Sequence, residues 1–242
     1  VKSGEEGKKV EEALNEMLAA WAGKHGIRSA LAPTLKLEKV YRTLMFKKHS
    51  GGEDEAKKRY VGWLIWKDGK DLLEIGEDKI SYTGIEVKRS DTSILTKKMM
   101  EDFFRLVLKE GDVDSAIRVV RETLAKVKRG DVNIHDVAVP KGVHKMERQS
   151  PHVRGMKYGQ ELLGIKFRED KKPKLLYCIR PVDVVCIDDD VDDEVVRKIV
   201  DVDWSRMALV CVEKKMKSLI ESLGLSWEEM VLGQTGLKRW FR

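Results

Sequence analysis

A chain of 242 residues with 42% hydrophobic content is long enough to bury the core of one or two domains. Its 47 Lys and Arg outnumber 41 Asp and Glu, giving a net charge of +6 that suits a polyanionic partner without demanding one. No apolar run approaches the roughly 20 residues of a membrane-spanning helix and no signal peptide is visible, so the sequence reads as soluble and intracellular, with no membrane partner.

Val10, Ala13, Leu14, Met17, Leu18 and Trp21 recur at helical spacing and predict an amphipathic helix over about 5–22, which Gly23 and Gly26 can end. Beyond Pro33, the pattern of Leu35, Leu37, Val40, Tyr41, Leu44 and Phe46 predicts a strand from Thr34 to Phe46, followed by a polar loop over 50–55. Further strands are expected at Arg59–Trp66, Asp71–Ile75 and Ile80–Val87, the first two joined by a turn at Lys67-Asp68-Gly69-Lys70. From Asp91 the period becomes helical. Asp91 or Ser93 can cap a helix whose stripe includes Ile94, Met99, Phe103 and Leu106 and which stops at Gly111. A second helix runs from Val113 to Arg129 before Gly130, and a third from His152 to Leu163 before Gly164. Val137 and Val139 predict a short strand, Leu175–Ile179 and Val182–Ile187 two more, and a last long helix spans Trp204–Leu223. The class is α+β, a small helix-and-strand piece followed by a mainly helical domain, with Met99, Met100, Phe103 and Phe104 in the core.

Cys178, Cys186 and Cys211 show no paired spacing and read as buried thiols. None of His25, His49, His135, His144 and His152 stands at a metal-binding interval, so no metal site built by this chain alone is expected. The acidic run from Asp188 to Glu194 has Asp193 and Ile199 where a Ca²⁺ loop needs Gly and Glu. It reads as a solvated loop that also supplies negative charge to a helix N-terminus.

Three short motifs say more in sequence than any does alone. Leu37-Glu38-Lys39-Val40-Tyr41 precedes Lys57-Lys58-Arg59-Tyr60-Val61-Gly62, and Gly84-Ile85-Glu86-Val87-Lys88-Arg89-Ser90-Asp91 follows. In this order and spacing they resemble the family B DNA polymerases. There a Leu-Glu-x-Glu-Lys-Val-Tyr-like strand leads to Lys-Lys-Arg-Tyr-Ala-Gly, and a Gly-Ile-Glu-x-x-Arg-Arg-Asp-like segment opens the thumb. The resemblance continues through Gly111-Asp112-Val113 and Pro151-His152-Val153 to a tail, Gln234 to Phe241, similar to that of archaeal members. The chain departs from the pattern at Lys36, where relatives often have an acidic residue, and at Ser90, which replaces the second Arg of the thumb-opening motif. Met146 and Glu147 stand where relatives tend to have Tyr-Lys, and Val210 and Cys211 where archaeal relatives have Asn-Gln.

The resemblance implies a C-terminal part of the palm at 1–56, a thumb at 57–233 and a clamp-binding tail at 234–242. The Tyr-x-Asp-Thr-Asp-Ser and Ser-Leu-Tyr-Pro-Ser-like segments that carry the family's metal-binding aspartates do not occur in this sequence. The 5–22 helix resembles the palm helix that follows the first of them. Residue 1 is Val, which reads as a processed, trimmed or renumbered start. The expectation is therefore the small subunit of a split archaeal enzyme, or a fragment of a longer one. A large catalytic subunit would supply the aspartates and most of the Mg²⁺ ligands, and Glu38 would be either an accessory carboxylate or a structural surface residue.

By the same resemblance, Lys57, Lys58, Arg59 and Tyr60 track primer–template DNA on its minor-groove side. Lys88 and Arg89 would bind phosphates at the thumb entrance, with Asp91 capping the next helix. Leu14, Met17 and Trp21 are expected to anchor the partner interface. Gln234, Leu237, Trp240 and Phe241 fit a Gln-x-x-Leu-x-x-aromatic-aromatic peptide, which one helical turn gathers into a plug for the sliding clamp PCNA. The complex would be a DNA-directed DNA polymerase in the cytoplasm, associated with the nucleoid. The alternative is a free-standing DNA-binding or clamp-adaptor protein derived from a polymerase thumb.

Overall fold

The structure, a computed structural model, describes residues 3–28, 31–48, 55–142, 150–168 and 170–233. Two units interleave in sequence: residues up to 45 group with 60–83, and 46–59 group with the residues from 84 onward.

The first unit holds helix α1 (Ser3–Lys24) and the sheet elements β1 (Lys39–Lys48), β2 (Glu55–Lys67), β3 (Lys70–Asp71) and β4 (Lys79–Thr83), of which β1 and β2 continue into the second unit. The sheet order is β1-β2-β3, with β4 also antiparallel to β2 and Tyr60 facing Thr83. Asp68 and Gly69 both take positive φ (46° and 88°), so the β2–β3 connection is the tight hairpin its Asp-Gly dipeptide predicts.

Two of the three strands of this sheet that fall short of the hydrophobic pattern do so because side chains take their backbone donors. Pairing after the hairpin stops at Asp71, whose carboxylate accepts from the N–H groups of Leu73 (3.0 Å) and Glu74 (3.3 Å) and folds 72–76 into turns. The strand expected from Thr34 begins only at Lys39, because the backbone upstream bonds to α1. Asn15 exchanges two hydrogen bonds with Leu35, and Glu11 accepts from Leu37 N–H at 2.9 Å.

Helix α1 presents two neighbouring stripes. Gly4 lies against the Trp66 ring and Gly7 against Leu37; with Glu11, Asn15 and the buried Ala22 they form the side that packs on its own unit. The other stripe is Val10, Leu14, Met17 and Trp21, apolar side chains that are 40–68% exposed. The helix passes through Gly23 and ends at Lys24, and Gly26 beyond it takes φ +67°.

The second unit begins its helical part with α2 (Ile94–Arg105), which runs through a wider turn at Leu106–Glu110 to Gly111. Then come α3 (Val113–Arg129), capped by Asp112 and closed by Gly130 as the sequence predicts, and the single-turn α4 (Ile134–Val137). Val137 is thus helical, and the short strand β5 is Val139–Pro140. Next are α5 (Pro151–Leu163), β6 (Lys174–Arg180), β7 (Val184–Ile187), α6 (Asp193–Ile199), β8 (Asp201–Val202), α7 (Trp204–Ala208), a wide turn at Leu209–Glu213, α8 (Lys214–Ser222) and α9 (Trp227–Leu232). Met100, Phe103, Phe104, Val120, Met207 and Met216 are fully buried, so the methionine–phenylalanine cluster of α2 is core. The chain is α+β, and the second unit carries its own antiparallel sheet, with β6 pairing β7, β5 and β8. None of the described helices is long and apolar enough to cross a membrane.

The acidic run works as a loop and a cap. Asp188 accepts from the N–H groups of Asp190 and Val191, Asp189 pairs with Lys174, and Asp192 caps α6 through the N–H groups of Glu194 and Val195. The three cysteines are buried, free thiols, and burial raises the pKa of Cys178 and Cys186 to about 12 and of Cys211 to about 11.

Helix α5 rests on β7 across Gly155 and Gly159, one turn apart. A Cβ at 155 would meet Cys186 Sγ and a Leu175 methyl at 2.9 Å, and one at 159 would collide with the Cys186 carbonyl oxygen. Gly159→Ala is therefore expected to cost about 2 kcal/mol by overpacking. Gly23→Ala, within α1 and with nothing inside 4 Å of the added carbon, is expected to gain up to about 1 kcal/mol in helix propensity. Chemical denaturation of the two variants checks the opposite signs.

Candidate nucleic-acid interface

The basic segment sits where β2 enters the second unit. Lys58 takes φ +58°, rare for a residue with a side chain, and both Lys58 and Arg59 are exposed. Lys57 belongs to β2, but its side chain lies outside the described residues. Gly84, at φ +63°, crosses directly over this backbone: a Cβ there would collide with the Lys58 carbonyl oxygen and stand 3.2 Å from Arg59 Cγ. The expected strand to Val87 accordingly stops at Thr83, and Glu86–Lys88 makes a 3₁₀ turn.

That turn is anchored from below. Ile85 and Val87 are buried while Lys88 and Arg89 are exposed. Glu86 forms a 2.8 Å ion pair with Lys47 of β1, with the two side chains only 12% and 7% exposed. Burial pushes the Glu86 carboxyl upward, but the hydrogen bond and charge of Lys47 outweigh it and hold the pKa below the ordinary value. Its second oxygen is buried with no hydrogen-bond partner among the described residues. Next to Lys47 at the end of β1, Lys48 N–H donates to Ser222 Oγ of α8 at 3.1 Å.

Arg89 grips Asp91 with two hydrogen bonds, Nε to Oδ1 at 2.9 Å and Nη2 to Oδ2 at 2.7 Å, and that bonding lowers the pKa of Asp91. Asp91 is thus not the cap of α2. Ser93 is, accepting from Thr96 N–H. Within the first unit, Tyr60 meets Tyr41 edge-on at 6.2 Å between ring centroids. Gly62 makes room for that Tyr41 ring, which a Cβ would approach to 2.5 Å. Glu38 lies exposed just before β1, its backbone carbonyl accepting from Asp68 N–H.

Among the described residues no three His, Cys, Asp or Glu side chains converge in a way that could hold a metal ion. Glu38 alone does not make a Mg²⁺ site. Pro151-His152-Val153 opens α5 behind the Ser150 cap with His152 buried, and Cys211 is buried with its carbonyl accepting from Thr96 Oγ1 at 2.8 Å. His152, Val153 and Cys211 are therefore packed inside the second unit. Met146, Glu147 and the tail residues Gln234, Leu237, Trp240 and Phe241 lie outside the described residues. The Lys47–Glu86 pair went unassigned in the sequence because the two residues lie 39 positions apart on different elements.

A family model for DNA polymerase family B matches residues 13–158. The chain belongs to this family. It is 34% identical to DNA polymerase 2 of Aeropyrum pernix over 131 residues, 52% of this chain and 14% of that protein. It is 28% identical to a DNA polymerase of Archaeoglobus fulgidus over 110 residues, 44% of this chain and 13% of that protein. With the DNA polymerase delta catalytic subunit of Plasmodium falciparum it shares 29% over 147 residues, 60% of this chain and 12% of that protein. The chain thus spans about one seventh or less of the length of these family B relatives.

The buried pair is expected to dominate acid stability in this part of the family B chain. Removing one partner of such a pair costs about 3 kcal/mol, so Glu86→Gln should be destabilised by about that amount at pH 7. A carboxylate with a lowered folded-state pKa stabilises above its unfolded pKa and stops doing so as pH falls through the folded value. The gap between wild type and Glu86→Gln should therefore narrow as pH drops below about 4.5, the ordinary value. Urea denaturation from pH 7 to pH 3 checks it.

Proposed function

We propose that this chain is a DNA-gripping, non-catalytic part of a family B DNA polymerase, with 1–56 as palm, 57–233 as thumb and 234–242 as a clamp-binding tail, and that it acts docked to a large catalytic chain. The observation that carries the reading is the passage of Gly84 over Lys58, which sets Lys58-Arg59 beside the turn bearing Lys88 and Arg89. Four cations on a fixed backbone suit a DNA duplex. Lysine and arginine supply phosphate affinity, and their N–H groups can also donate to minor-groove acceptors, sensing duplex shape rather than sequence. Rigid placement matters because an error of about 1 Å at a reacting terminus can cost on the order of 100-fold in rate.

On this reading the metal-binding aspartates, and with them Mg²⁺, belong to the large chain. Mg²⁺ would stabilise the attacking primer oxygen and the leaving pyrophosphate. This chain's residues would bind and orient the duplex, with Glu38 an accessory at most. The exposed stripe of Leu14, Met17 and Trp21 on α1 supports docking, since apolar side chains in a row gain by being covered.

The purified chain should extend no primer, and adding a partner that carries the aspartate pair should restore extension. Met17→Glu with Trp21→Glu should abolish co-elution with that partner while leaving the melting temperature unchanged, because both side chains already face solvent. Extension by the chain alone would refute the reading, and co-elution of the double variant would place the interface elsewhere.

The tail acts separately from chemistry. Trp240→Ala with Phe241→Ala should remove clamp stimulation, each lost aromatic anchor costing about 2 kcal/mol or roughly 30-fold in affinity, while distributive synthesis continues. Primer extension on long templates with and without clamp checks it, and full stimulation of the double variant would show that the tail is not the clamp ligand.

A further inference from the structure

Ser90 removes a cation from the basic motif, and the fold returns one from 82 positions away. Lys172, exposed in the segment between α5 and β6, donates from Nζ to Ser90 Oγ at 2.7 Å. Four of its basic neighbours are engaged with acids. Arg168 binds Asp170 through two hydrogen bonds. Lys171 stands 3.8 Å from Asp189 and 3.9 Å from Asp190, and Lys174 pairs with Asp189. Arg89 is held by Asp91. Lys172 forms no ion pair with a carboxylate among the described residues; its hydrogen bond is to a neutral hydroxyl. An ammonium has three donors, so one bond to Ser90 fixes its position and leaves two for an anion.

We propose that Lys172 is a further positioning residue for primer–template DNA, binding a backbone phosphate beside Lys88 and Arg89, with Ser90 as the hydroxyl that aims it. The inference rests on the DNA-gripping reading above. A lysine serves here as a point charge for phosphate, and the fixed hydroxyl limits the freedom its long side chain would lose on binding. Ser90 then has a purpose that a missing arginine does not suggest: it trades a side-chain cation of its own for a site that receives one.

The test is equilibrium binding of a fluorescent primer–template duplex to the full chain across a salt series. Lys172→Ala should weaken binding about three- to tenfold at moderate salt, alike on unrelated sequences, and lower the slope of log affinity against log salt by about 1. Lys172→Arg should keep the slope. Ser90→Ala should weaken binding less than Lys172→Ala and leave the slope intact, because the charge remains and only its placement is lost. Lys58→Ala tests the parent reading in the same assay. If Lys58→Ala weakens binding and Lys172→Ala changes neither affinity nor slope, the role of Lys172 is overturned and the DNA-gripping reading stands. If the wild-type chain shows no salt-dependent duplex binding, both are overturned.

Discussion

The carbonyl oxygen of Lys58 occupies the space a side chain on residue 84 would need. Only glycine satisfies both that contact and the left-handed φ of +63°, which lets the chain leaving β4 pass over β2 here. The crossing is then locked from beneath by the Lys47–Glu86 pair and by Ile85 and Val87. A buried ion pair gains little net stability over an apolar substitute, but it penalises any arrangement that separates its partners. The basic residues on either side of the crossing, Arg59 and Lys88, inherit their placement from these contacts.

Helix α1 shows a related economy of residues. Gly4, Gly7, Glu11, Asn15 and Ala22 face its own unit, where close approach and backbone hydrogen bonds hold the segment 35–37. The stripe Val10-Leu14-Met17-Trp21 faces out. Amphipathic spacing predicts that a helix exists and that one stripe gets covered. It does not say whether the cover comes from within the chain. Cover by a second chain is the docking proposed above.

The elements most legible in the sequence were those with punctuation at both ends. Asp112 and Gly130 bracket α3 to the residue, and Gly164 closes α5. The family was legible from motif order, and the α+β class from the change of period near Asp91. What the period could not show was competition for backbone donors by side chains. Asp71 ends a strand that Leu72 to Ile75 would otherwise continue, and Asn15 and Glu11 take the donors of Leu35 and Leu37. Short elements such as α9 carry too few residues for a periodic signal, although its capping box, Ser226 with Glu229, was there to be read. At the candidate interface, Lys58, Arg59, Lys88 and Arg89 were visible as motif residues. Lys47 and Lys172 were not, since long-range partners leave no mark in local spacing.

The central claim is that the crossing of 84–89 over β2 is where the chain meets duplex DNA. Hydrogen–deuterium exchange of the full chain with and without a primer–template duplex addresses it residue by residue. The account predicts new protection in peptides covering 57–60 and 85–91, lost again as salt is raised. Duplex binding with protection confined to other segments, such as α6 or the loop before it, would contradict it.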